Sequence, residues 1–181
     1  MLAAVLTSAA TGSGLGMLTR DVTTLSSDAG AELPFYAGAI SLLNGMVWAS
    51  TAAMAFLVGS LRPSRRRWLV LFGSFVLVLT VDDALTLHEI VGPSHRVPEG
   101  AFYLSYAIVA VLLLRGALTR PHASSTAAFL LGGALLALSI LIDRVSLHQY
   151  LVEDGAKLLG AAVWLTVPLL SLDTSEAGGR T

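Results

Sequence analysis

Two aspartates stand side by side at Asp82 and Asp83 in an otherwise apolar run, and His88 and Glu89 follow within a few residues. A second acidic pair, Glu153 and Asp154, opens a later apolar run and is followed by Lys157. Carboxylates held away from bulk water can do two kinds of chemistry. They can take up and release a proton, because burial disfavours the charged form, or they can hold a cation through oxygen. Oxygen-rich sites suit Mg, Ca or Mn, and an added imidazole shifts the balance towards Zn or Fe. The candidate proton or cation site is therefore Asp82, Asp83, Glu89, Glu153, Asp154 and Lys157. The candidate metal ligands are Asp82, Asp83, His88 and Glu89, with a divalent metal ion as the cofactor they would take. The chain has no Cys, which excludes a thiol nucleophile and a Cys-ligated metal.

The elements that position these residues follow from composition. Of 181 residues, 55% are apolar and 13% charged, against about 45–50% and about 25% in soluble domains. A soluble domain this short cannot hide that much apolar surface. The composition thus excludes an ordinary water-soluble enzyme and a disordered chain. A net charge of −1 without a basic stripe excludes a nucleic-acid module. Five apolar stretches, near 35–60, 68–90, 101–118, 126–143 and 151–171, approach or exceed the roughly 20 residues that cross about 30 Å of hydrocarbon. A sixth, 2–18, is diluted by Thr11, Gly12, Ser13 and Gly14. The expected fold is all-α: one domain over 1–181, a polytopic transmembrane bundle of six spans, or five if 2–18 does not cross.

Orientation follows from Lys and Arg in the short loops. Arg62, Arg65, Arg66, Arg67, Arg115, Arg120 and Arg180 fall on one side, and Arg20, Arg96 and Arg144 on the other. That bias puts the Arg65–Arg67 loop in the cytoplasm and the chain in the plasma membrane. The acidic residues then gather at the extracytoplasmic end. Asp82 falls about 21 Å into the 68–90 helix at 1.5 Å per residue, leaving roughly 9 Å of hydrocarbon beyond it. An acid at mid-depth costs about 2.5–3.5 kcal/mol. Two adjacent acids facing one lysine leave an excess of negative charge, to be relieved by protonation or by a bound cation.

Helical spacing places Asp82, Thr86 and Glu89 on one stripe and Gln149, Glu153, Lys157 and Gly160 on another. Gly155 and Gly160 are expected to admit a neighbouring helix closely. His88 and His148 fall off these stripes and reach the site if the helix ends unwind. Glu153 and Lys157 also form an i,i+4 pair in the favourable order, a purely structural role. Trp48, Trp68 and Trp164 are read as packing or interfacial anchors, and Pro168 as a kink in the last span.

With these residues on the page, the chain resembles a group of small, uncharacterised multi-pass bacterial membrane proteins. The matching pieces are Leu18-Thr19-Arg20-Asp21, Asp82-Asp83 with Leu87-His88-Glu89, Pro98-Glu99, and Glu153-Asp154-Gly155 with Lys157 and Gly160. The resemblance implies an architecture and a site location, without an activity. A looser similarity is to the ceramidase-like membrane hydrolases, which hold zinc among transmembrane helices with His and Asp ligands. The chain departs from them in having no His-x-x-x-His.

The expected function is a plasma-membrane protein with an intramembrane carboxylate-rich site for a proton or a divalent metal. That site opens to the extracytoplasmic side and would serve ion-coupled transport. Two other classes stand beside it: a metal-dependent membrane hydrolase acting on a lipid, and a non-catalytic auxiliary subunit whose polar network sets helix register. The expected partner is the lipid bilayer. A homo-oligomer or a larger membrane complex stays open, and nucleic acid does not.

Overall fold

The computed structural model describes residues 38–88, 92–119, 123–145 and 150–172. The expected first span at 2–18, and Glu89 and His148 with it, lie outside them. Among the described residues every regular element is a helix: α1 Ala39–Leu61, α2 Arg66–Leu85, the short α3 Gly92–Ser94, α4 Glu99–Thr119, α5 Ala123–Val145 and α6 Tyr150–Leu170. In hydrocarbon each backbone N–H and C=O must be satisfied within its own segment, which is why Leu-, Val- and Ala-rich runs take this form. Four stretches are long and apolar enough to cross a membrane: α1, α2, α4, and Ser124–Ile142 of α5. α6 is equally long but carries Glu153, Asp154 and Lys157 in its first half. Leu42, Leu57, Leu71, Leu104, Leu112 and Leu141 are all more than half exposed. Such an apolar outer surface suits lipid and would be a liability in water.

The long helices form a ring in which sequence neighbours run antiparallel and α1 and α6 run parallel, both ending beside the Arg62–Leu172 bond. α1 packs against α2 and α6, α5 packs against α6, and α4 completes the circle with sparse contacts to α2 and α5. On α1 the buried positions Ile40, Asn44, Trp48, Thr51, Ala55 and Val58 recur every three or four residues, one inward stripe. α4 buries only Leu113 and Ala117 of its 21 residues. α5 and α6 cross where Gly132 meets Gly160, since a methyl on Gly160 would sit 3.0 Å from the Gly132 carbonyl oxygen. The sequence pointed to Gly155 and Gly160 for this contact. Gly155 has open space around it, and the partner of Gly160 is Gly132.

One half of the ring is filled by aromatic side chains. Trp68 stacks on Phe72 with centroids 5.4 Å apart, and Phe129 stacks on Trp164 at 5.6 Å. Phe72 meets Trp164 edge-on at 5.5 Å. The indole N–H groups are satisfied: Trp164 donates to the Phe129 carbonyl at 2.8 Å, Trp68 to the Leu113 carbonyl at 2.9 Å, and Trp48 to Asn44 at 2.8 Å. Of the two sequence readings for the tryptophans, packing fits Trp48 and Trp164, which are buried. At this end of the bundle Arg65 donates to Ser171 at 3.1 Å, and Arg62 donates to the Leu172 carbonyl. Burial, with Arg62 second, holds the Arg65 guanidinium below its ordinary range.

α2 stops earlier than hydropathy suggests. The apolar run predicts a helix to residue 90, yet α2 ends at Leu85. Thr86 turns left-handed (φ 49, ψ 42), and its N–H returns to the Asp82 carbonyl. A β-branched residue is poorly suited to that region, at a cost of about 1–2 kcal/mol. Thr86→Gly is therefore expected to raise the thermal midpoint in detergent, by up to about 1 kcal/mol after glycine's own entropy cost. A lower midpoint would mean that the Thr86 side chain contributes more than its backbone costs.

Candidate functional site

The early end of α2 creates the site. Asp82 and Asp83 occupy the final turn of the helix, and where an α-helix to residue 90 was expected, Thr86 breaks the ladder and a π-helical turn begins at Leu87–His88. Thr86 therefore does not extend the Asp82 stripe, and Glu89 lies outside the described residues. This break sets His88 over Asp82. The His88 backbone N–H donates to Asp82 Oδ1 at 3.0 Å, and His88 Nδ1 lies 2.7 Å from Oδ2. Asp82 is 4% exposed. The ring and carboxylate are close without being aligned as a hydrogen bond, so the attraction between them is electrostatic and full when the imidazole is protonated. Tyr106 of α4 turns its hydroxyl towards the same carboxylate.

Asp83 points across the ring to α6. Lys157 Nζ donates to Asp83 Oδ1 at 2.9 Å, with about a quarter of each side chain exposed. The i,i+4 spacing offered Glu153 on its own helix as a partner for Lys157; the ammonium also reaches across to α2, as expected if the two acidic stripes face each other. The pair joins residues 74 apart in sequence. Tyr103, whose hydroxyl donates to Glu99 at 2.8 Å, sets its ring 5.5 Å from that of His88.

These groups stand at one end of a cavity of about 270 Å³ inside the ring. Of the residues singled out from sequence, Asp82, Asp83, His88, Glu153 and Lys157 line it. Asp154 is half-buried on the same helix without being part of the lining, and Glu89 is outside the described residues. The wall bears two residues that the sequence reading passed over, Tyr103 and Tyr106. Their signal was present: Glu99, Tyr103, Tyr106, Ala110, Leu113 and Ala117 recur at helical spacing, the stripe of α4 that faces inward. Trp48, Phe75 and Trp164 bound the cavity towards the aromatic plug.

Chemically, the arrangement offers a buried carboxylate held to an imidazole, with a phenol beside them, and a separate carboxylate–ammonium pair. Among the described residues no three His, Asp or Glu side chains converge closely enough to hold a metal ion. Asp82 and His88 alone would be two ligands.

A family model described as a domain of unknown function (DUF8692) matches residues 1–170. No curated protein and no solved structure matches the chain.

Proposed function

The chain belongs to that family of unknown function, and from its geometry we propose a membrane protein whose intramembrane site exchanges protons with the extracytoplasmic side. The observation that carries this reading is the nearly fully buried Asp82 held against His88 at the wall of a cavity. A carboxyl group and an imidazole in contact can share and pass a proton where neither meets bulk water. Ionisable groups at such depth are a functional hypothesis by default, because they are expensive to keep there. The loop arginines, Arg62 and Arg65–Arg67, lie at the opposite end of the bundle from Asp82, which supports an outward-facing site by the positive-inside tendency. The metal form of the same reading has weaker support, since the described residues bring two candidate ligands together rather than three. The lipid hydrolase loses support with it, because that chemistry needs metal-bound water. Ion-coupled transport would require the aromatic plug of Phe72, Phe129 and Trp164 to open a path to the other side.

A purely structural role has one observation in its favour, since Asp83 and Lys157 satisfy each other across the ring. Infrared difference spectra between acid and neutral pH separate the two. Proton exchange predicts a protonated-carboxyl band that vanishes in Asp82→Asn and moves in His88→Gln. A spectrum without any Asp82-dependent carboxyl change over that range overturns the proton reading and leaves the structural one.

A further inference from the structure

A proton needs no room, and the cavity beside Asp82 has a great deal of it. Its volume of about 270 Å³ is many times the roughly 10–15 Å³ that holds one water. The space exists because Ala107 and Ala110 on α4, and Gly133 and Ala137 on α5, present little side chain to it. At Gly133 even an added methyl would only touch Trp164, at 3.8 Å. Five aromatic rings line the remainder: Trp48, Phe75, Tyr103, Tyr106 and Trp164. At the polar end stand three carboxylates, Asp82, Asp83 and Glu153, with Lys157 and His88. Among the described lining residues, three acids less one ammonium leave a formal charge of −2, or −1 if His88 is protonated.

We infer that this cavity binds a small organic cation, an apolar or aromatic body of up to that volume carrying a positively charged nitrogen. The inference rests on the proton-exchange reading above, because the bound cation and the proton answer to the same carboxylates. Ring faces attract cations, Trp best of all. A polar-ended, aromatic-walled hollow is the usual form of a small-molecule site. A bare inorganic ion would meet two candidate ligands among the described residues and leave most of the hollow unfilled. An anion would meet the excess negative charge.

The test uses the full chain in nanodiscs and three probes of similar shape: benzyltrimethylammonium, its uncharged carbon isostere neopentylbenzene, and benzenesulfonate. Trp48 and Trp164 in the wall supply the fluorescence signal, and a thermal melt supplies the second readout. The expected result is saturable quenching and a raised midpoint with benzyltrimethylammonium alone. Its apparent affinity should be at least tenfold weaker in Ala110→Leu, which fills the hollow and should melt no lower than the wild type. If that variant fails to fold, Ala137→Leu fills the same space from α5. Equal or stronger saturation by neopentylbenzene overturns the inference in favour of an apolar ligand. Absence of saturable quenching by the cation in wild-type protein overturns it outright. In that event a persisting Asp82 infrared titration leaves proton exchange standing. Binding of the cation without that titration supports the pocket and removes the proton reading alone.

Discussion

Gly132→Val is expected to cost the folded protein about 2–6 kcal/mol, a large part of the roughly 5–15 kcal/mol that holds a typical domain together. The glycine faces Trp164, and a side chain there would lie inside the contact distance of its indole ring. Trp164 cannot retreat cheaply. It stacks on Phe129, meets Phe72, Phe75 and Trp48, and donates its N–H to the Phe129 carbonyl. Overpacking such a site costs about 1–3 kcal/mol, and a stranded buried N–H about 1–3 kcal/mol more. Thermal melts in detergent provide the measurement, with Gly155→Val as the control because a Cβ there meets nothing within 4 Å. If Gly132→Val melts with the control, the close crossing of α5 and α6 is not what holds the aromatic plug.

The second large effect belongs to the cross-ring pair. Asp83→Asn should remove the hydrogen-bonded partner of the Lys157 ammonium and leave it with Glu153 and Asp154 of its own helix, and Lys157→Met should strand the Asp83 carboxylate. Breaking a fully buried pair costs about 3–5 kcal/mol. Because each side chain is about a quarter exposed, water softens the loss to about 1–3 kcal/mol. The double variant should recover most of it, since two neutral partners leave no uncompensated charge. A double-mutant cycle on melting midpoints measures this directly. Strict additivity of the two single losses would mean that Asp83 and Lys157 do not act as a pair.

Much of this architecture is legible in the sequence, because the bilayer makes hydropathy a ruler. The observed α4 and α6 differ from the apolar runs 101–118 and 151–171 by one or two residues at each end. The end of α2 was not legible. Nothing in Thr86-Leu87-His88 resembles a helix stop, and the turn depends on the Asp82 carboxylate receiving the His88 N–H, a tertiary bond that window averages ignore. That same event brings His88 to the acids, as the spacing argument required if the helix unwound. Gly132 was missed for a different reason. Gly132 and Gly133 sit in an unbroken apolar run, and only knowledge of which helix lies opposite distinguishes a contact glycine from an incidental one. Tyr103 and Tyr106 were passed over because a tyrosine on a membrane helix reads first as an interfacial anchor.

The left-handed turn at Thr86 also bears on the order in which the protein is made. Asp83 leaves the ribosome 74 residues ahead of Lys157, a delay of roughly 4–15 s at the usual 5–20 residues per second. For those seconds the acid has no ammonium to answer it. With the helix ending at Leu85, the acid waits in the last turn of α2 rather than in mid-helix until α6 brings the ammonium.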